Sequence, residues 1–159
     1  MIRLGVPADL PAASDVYRNA SLSNAGDRDN LLAHPGYLML GPHGLAEGRT
    51  HVAEEDGSLV GFATWAQAGR VFELEDLFVD PGWMRRGIAT ALVECVADAV
   101  RARGAERLEV TANAHALGFY TAAGFIDTFD YSGSVVGSLD QDGTHSWSAP
   151  HQLSTSASP

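Results

Sequence analysis

The stretch Phe72-Glu-Leu-Glu-Asp-Leu-Phe-Val-Asp-Pro-Gly-Trp-Met-Arg-Arg-Gly-Ile-Ala-Thr-Ala-Leu92 changes its periodicity in mid-course. Its first eight residues read as a strand, and Asp80-Pro81-Gly82 reads as a tight turn. From Gly87 the apolar residues fall at helical spacing (Ile88, Leu92, Cys95, Val96, Ala99, Val100) until Gly104 stops the helix. The first N–H groups of a helix are unpaired and point outward, and the macrodipole adds positive potential there. A phosphate is the natural guest of such an end. Gly87 and Ala89 permit close backbone approach, Thr90 adds a hydroxyl, and Arg85 and Arg86 stand beside it. A plain helix start carrying a solvated arginine pair is the alternative. The segment is no Walker A loop, which needs a Gly-Lys-Ser/Thr run that this lysine-free chain lacks, and it has no Gly-x-Gly-x-x-Gly turn.

Outward from this stretch the pattern remains α/β. A short strand over 2–5 opens the chain, and Asp9 is placed to cap a helix over 10–21. Leu10, Ala13, Val16 and Tyr17 share one face of that helix, with Pro11 tolerated in its first turn. A short helix covers 29–34, and the glycine-rich 37–48 segment reads as loop. Strands over 50–54, 59–66 and 71–79 make a meander. After the long helix come a strand over 107–111, a helix over 114–123 and a strand over 125–131. Beyond 132 the chain is rich in Ser and Gly; 145–153 reads as one edge strand and 154–159 as a disordered tail. One domain over 1–153 is expected, an α/β sandwich with a mixed sheet.

Composition narrows the chemistry. The 159 residues are 45% hydrophobic, enough for a core. Twenty acidic residues face ten basic ones, all arginine, for a formal net charge of −10. Such a chain lacks the positive field that displaces phosphate counterions, so nucleic acid is not an expected partner. The balance leans towards a cationic or amine-bearing one. No apolar run has the length of a membrane span, and Pro7, Asp9 and Pro11 interrupt any signal-like segment. A membrane is therefore not an expected partner, and a reducing cytoplasm is the expected setting. The single cysteine, Cys95, reads as inert core packing. The six histidines, at 34, 43, 51, 115, 145 and 151, form no ligand pair, so no metal is expected.

A second stretch carries the rest: Leu108-Glu-Val-Thr-Ala-Asn-Ala-His-Ala-Leu-Gly-Phe-Tyr-Thr-Ala-Ala-Gly-Phe125, a strand, an Asn cap, a short helix and a Gly-Phe entry into a strand. Together the two stretches resemble the GNAT superfamily of acyl-CoA-dependent N-acetyltransferases. The first matches its Gln/Arg-x-x-Gly-x-Gly/Ala motif after a Leu-Phe-Val-Asp-Pro strand end; the second matches its Asn…Phe-Tyr…Gly-Phe motif. The opening Ile2-Arg-Leu-Gly-Val-Pro-Ala-Asp-Leu-Pro11 also resembles the family's. The likeness covers about residues 2–131. One departure stands at the first motif position, where Met84 replaces the usual Gln or Arg. Backbone amides do most of the holding there, so binding should weaken only modestly.

The resemblance implies a mostly antiparallel central sheet flanked by helices on both faces, with a V-shaped splay between two parallel strands, 73–79 and 107–111. Acetyl-CoA would lie in the splay as a co-substrate, with no metal. The amide of Leu77 would polarise the thioester carbonyl, backbone groups of Phe78 and Val79 would hold the pantetheine arm, and Arg85, Arg86, Gly87, Ile88, Ala89 and Thr90 the pyrophosphate. Asn113 caps the short helix and is a candidate cofactor contact. Tyr120 matches the family tyrosine beside the cofactor sulfur and is the candidate acid; the alternative is a packed aromatic. Glu73, fourteen residues before Gly87, matches the catalytic glutamate of histone-acetylating members. It is a candidate base, the alternatives being a ligand for the substrate ammonium or an exposed strand carboxylate, with Glu75, Asp76 and Glu109 behind it. Glu73, Glu75, Leu77 and Val79 share one strand face unless a bulge intervenes.

The leading expectation is therefore acetyl transfer by direct attack of a primary amine, of a small molecule or peptide, in a ternary complex. The alternatives are a non-catalytic acyl-CoA-binding or sensing module on the same fold, and an interaction module that binds no CoA. The acceptor would meet 17–48 and the C-terminal strands, and a homodimer through 132–153 is compatible with the resemblance.

Overall fold

The computed structural model describes residues 1–23, 28–112, 117–122, 126–129 and 135–140. The chain runs β1 (Ile2–Leu4), α1 (Leu10–Leu22), α2 (Arg28–Ala33), α3 (His43–Ala46), β2 (Thr50–Glu55), β3 (Ser58–Ala68), β4 (Val71–Val79), α4 (Ile88–Ala102), β5 (Arg107–Ala112), α5 (Leu117–Ala122), β6 (Ile126–Phe129) and β7 (Val135–Asp140). Seven strands form one sheet in the order β1-β2-β3-β4-β5-β7-β6. β4 and β5 are parallel and every other pair is antiparallel.

Helices cover both faces because the strands are apolar on both. On one face Phe72, Leu74, Leu77 and Val79 of β4 pack with Leu92, Val93, Val96 and Val100, the buried stripe of α4. On the other, Val52, Phe62 and Phe78 pack against Ala13 and Val16 of α1.

Two irregularities in β4 shape the site. Thr64 pairs with Asp76 and Trp65 with Leu74, so Glu75 is an extra residue with no partner on β3. Such a bulge bends its strand and reverses the alternation beyond it. Pairing with β5 covers Val71 to Leu74 and goes no further, although β4 continues to Val79. The parallel strands thus part at the bulge, which is the expected splay. The bulge also breaks the shared face: Leu77 and Val79 join Phe72 and Leu74 under α4, while Glu73 is exposed on the α1 side.

Three other local features differ from expectation. Asp9 makes no side-chain cap on α1. Its carboxylate accepts instead from the Val6 amide at 2.8 Å and from both terminal nitrogens of Arg3 at 2.8 and 2.9 Å. Within the expected 37–48 loop, α3 forms a turn in which Gly44 lies so close that a Cβ would stand 2.6 Å from Thr50 Oγ1. β7 forms in the Ser/Gly-rich region and inserts between β5 and β6. The expected strand over 145–153 and the tail over 154–159 lie outside the described residues.

The Arg3 cluster tethers the first strand. Arg3 also bonds Glu54 on β2 at 2.6 Å, and its hydrogen bonds hold the Asp9 carboxyl below its ordinary 3.8. A depressed carboxyl stabilises the fold above its unfolded pKa and loses that contribution as pH falls through the lower native value. Asp9→Asn is therefore expected to cost about 1 kcal/mol at pH 7 and progressively less below pH 4. Urea midpoints across pH check this; a cost that stays constant into acid would contradict it.

Candidate active site

Between β4 and α4 the chain makes a strained turn. The Asp80 side chain accepts from the Gly82 amide at 3.0 Å, and its carbonyl accepts from Trp83 at 2.8 Å, closing a single helical turn over Pro81–Trp83. Met84 is extended, whereas Arg85 takes φ +63° and Gly87 φ +83°. A non-glycine residue in the left-handed region is costly, so Arg85 is held there by its surroundings. The two left-handed residues turn the chain sharply into α4, and the amides of Ile88, Ala89 and Thr90 open that helix with no carbonyl behind them in it.

A cleft of about 420 Å³ lies on this helix end, lined by Val79, Trp83, Met84, Arg85, Gly87, Ile88, Ala89, Thr90 and Phe119. Six of the residues read as cofactor contacts are among them. Arg86 is not in the lining; its guanidinium stacks over Trp83, 4.8 Å from the ring centre, at the cleft's edge. Leu77 and Phe78 are buried, offering backbone rather than side chains. Asn113 and His115 lie outside the described residues. Tyr120 is 1% exposed, edge-on to Phe119 at 5.0 Å, and burial pushes its phenol above the ordinary 10.

A second cleft, about 250 Å³, opens on the α1 side, lined among others by Tyr17, Leu40, His43, Arg49, Thr64, Glu75 and Asp76. Arg49 donates to the Trp65 carbonyl at 2.7 Å, to Glu47 at 2.9 Å and to Glu75 at 3.3 Å. Burial and the neighbouring Glu75 push the Asp76 carboxyl up to about 6, against a hydrogen bond from Thr64 and the charge of Arg49. Glu73 lies outside this lining. Although Glu73 reaches solvent, partial desolvation and the charges of Glu75 and Glu109 raise its carboxyl, and its β5 neighbour in register is Glu109. Cys95 is partly exposed rather than buried, with its Sγ 3.5 Å from His51 Nδ1, away from both clefts.

A family model described as the acetyltransferase (GNAT) family matches residues 18–125. The chain belongs to that family. Solved GNAT structures repeat the fold at low identity. A PaiA N-acetyltransferase from Thermoplasma acidophilum, in complex with coenzyme A, is 14% identical over 88% of this chain and 98% of its own, with a TM-score of 0.71. The yncA protein of Salmonella typhimurium, with its cofactor acetyl-CoA, is 22% identical over 96% and 98%, at 0.66. A ribosomal-protein-alanine N-acetyltransferase from Brucella melitensis is 19% identical over 88% and 99%, at 0.65. No curated protein matches the sequence significantly.

In GNAT terms the two clefts stand on opposite faces of one short piece of backbone. Glu75 and Asp76 face one, Val79 faces the other, and Leu77 lies between them in the chain. No cluster of His, Cys, Asp and Glu suited to a metal occurs among the described residues, and none of their helices is long and apolar enough to cross a membrane. Tyr17 stands at the start of the 17–48 segment expected to meet the acceptor, whereas Arg49, Thr50 and Thr64 were not singled out as site residues in the sequence. The signal for Thr64 was a hydroxyl inside the otherwise apolar 60–65 run. Nothing local marked the others.

Proposed function

We propose that the protein transfers the acetyl group of acetyl-CoA to a primary amine, by direct attack in a ternary complex. The observation that carries this reading is the cradle at the start of α4. Gly87 has φ +83°, and a Cβ there would meet nothing within 4 Å, so the space over the helix amides is open. A diphosphate fits that space by charge and by hydrogen bonding. After Leu74, β4 stays paired with β3 but loses β5, and the edge so opened supplies backbone groups that need partners, which amides of a pantetheine arm provide.

When bound, acetyl-CoA supplies an activated thioester. Ile88, Ala89 and Thr90 hold the diphosphate through their amides, with Arg85 and Arg86 adding charge. Phe78 and Val79 hold the arm, and the Leu77 N–H polarises the thioester carbonyl. Asn113 remains a proposed cofactor contact. The amine lone pair forms the new C–N bond as the C–S bond breaks, and Tyr120 gives its proton to the departing sulfur. The phenol is protonated at neutral pH; burial, which raises it above its ordinary value, also makes it a weaker acid, so its donation depends on the charge that develops on the departing sulfur. A β4 carboxylate takes the proton of the incoming ammonium.

The second cleft suits a cationic acceptor, since Glu47, Glu75 and Asp76 surround the single guanidinium of Arg49. The test has two arms. Acetyl-CoA at about 100 times its Kd should raise stability by about 2.7 kcal/mol in a thermal melt. Thiol release should then follow n-butylamine, 1,4-diaminobutane and 4-aminobutanoate in the order diamine, monoamine, amino acid. An unmoved melt would exclude CoA binding. Binding without thiol release from any amine would favour a sensing module over an enzyme.

A further inference from the structure

We propose that the α1-side cleft is the acceptor site and that Asp76, not Glu73, is the carboxylate that seats the ammonium and takes its proton. This rests on the acetyl-transfer reading above.

The first support is a polar row across the sheet. Thr50 on β2 pairs in register with Thr64 on β3, which pairs with Asp76 on β4. Thr50 and Thr64 are 2% and 4% exposed, and they are the two buried polar side chains among the described residues. Their hydroxyls lie 2.8 Å apart. With Thr64 donating to Asp76, Thr50 is left to donate to Thr64. Two hydroxyls sit in a sheet face otherwise filled by Val52, Phe62 and Phe78. Burying them is unfavourable unless they serve an acceptor, and the row ends on Asp76 at the cleft.

The second support is the bulge. With Glu75 as the extra residue, Asp76 is the β4 residue set in register against Thr64, and it lines the cleft together with Glu75. Asp76 is also adjacent to Leu77, on the length of β4 that has parted from β5. Glu73 stands three residues back, roughly 10 Å along a strand, where β4 and β5 are still paired.

The charges around Asp76 complete the picture. Glu75 on its own strand disfavours the anion; Arg49, before β2, and Thr64 on β3 favour it. Tyr17 on α1 and His43 on α3 line the same cleft, and the Tyr17 phenol is raised by burial and by Asp76. Arg49 is already matched by Glu47 and Glu75, which leaves Asp76 to meet an incoming cation. With its carboxyl at about 6, Asp76 is ionised at neutral pH and still basic enough to accept a proton.

The proton count balances. The ammonium passes one proton to Asp76 and becomes the nucleophile. The second nitrogen proton, lost as the amide forms, replaces the one that Tyr120 gives to sulfur, and Asp76 then releases its own to solvent. Ammonium and thioester become amide, thiol and one proton.

The test compares Asp76→Asn, Glu73→Gln and Thr64→Val in the full chain, with 1,4-diaminobutane as the probe. In Asp76→Asn, kcat/KM should fall at least about 100-fold and the acid limb of its pH profile, near pH 6 in the parent, should vanish. Acetyl-CoA affinity by calorimetry should stay within about twofold. Asn keeps a hydrogen-bond acceptor and removes a charge that burial disfavours, so this variant should melt no lower than the parent at pH 8. Thr64→Val removes the donor that favours the anion, so its surviving limb should move to higher pH. A limb that persists in Asp76→Asn, stays put in Thr64→Val, or vanishes instead in Glu73→Gln overturns the assignment. So does an acetyl-CoA-bound protein that acetylates none of the three amines. A parent protein that fails to bind acetyl-CoA is a separate result, which removes the acetyl-transfer reading and the inference with it.

Discussion

Gly87→Glu is expected to abolish acetyl-CoA binding while leaving the fold in place. Gly87 is at φ +83° and caps the N-terminus of α4. Any side chain there bears a left-handed penalty of about 1–2 kcal/mol, but a Cβ meets no atom within 4 Å, so nothing in the protein is pushed aside. The cost falls on the guest. A carboxylate at this position takes up the open space over the helix amides and satisfies the same positive end that a diphosphate would use. It also repels the diphosphate, in a cleft whose only described arginines are Arg85 in the lining and Arg86 at the edge. A loss of at least about 100-fold in affinity follows, roughly 2.7 kcal/mol. Gly87→Ala separates strain from charge: it bears the left-handed penalty without the carboxylate and should lose far less affinity. Calorimetric titration with acetyl-CoA measures both. Full affinity in Gly87→Glu, with an intact melt, would mean that the α4 terminus holds no phosphate.

The cofactor side was legible because its parts are contiguous. Strand, Pro-Gly turn and small-residue helix start occupy residues 72–92, and each is marked by a local signal: alternation, a turn dipeptide, a 3.6-residue period. The α1-side cleft is assembled by register, which a sequence does not display. In Glu73-Leu74-Glu75 the alternation looks unbroken. Only the pairing of Trp65 with Leu74 and Thr64 with Asp76 exposes Glu75 as an extra residue and turns Asp76 into the cleft. Thr50 and Thr64 are fourteen positions apart and meet only because β2 and β3 pair. The same holds for β7: Val135 and Val136 are too short an apolar run to signal a strand, and its place between β5 and β6 depends on partners far away in the chain. Asp9 shows a third case. Its position before a helix suggested a cap, but the carboxylate is turned back to two charged donors of Arg3, six residues earlier, and to the Val6 amide, and charge-assisted bonds are the stronger ones.

Tyr120→Phe is expected to lower kcat by about 100- to 1,000-fold with acetyl-CoA affinity unchanged within about twofold. The substitution removes one oxygen and keeps the ring, so the edge-on contact with Phe119 and the ring's place in the buried core cluster are retained. A purely structural tyrosine would therefore respond in stability, not turnover. A catalytic one responds the other way, because a departing thiolate left without a proton donor is a poorer leaving group in the transition state alone. At 1% exposure water cannot stand in for the missing hydroxyl, so rescue by solvent should be weak. The pH profile adds an independent check. A phenol raised above its ordinary value holds its proton throughout the neutral range, so the parent should show no fall in rate from Tyr120 below pH 10, and any basic limb there belongs to another group. The acid limb should remain in Tyr120→Phe at its parental pH, since it reports the β4 carboxylate and not the tyrosine. A variant whose kcat stays within about threefold of the parent, or whose loss appears equally in acetyl-CoA affinity, would return Tyr120 to the packing of the core.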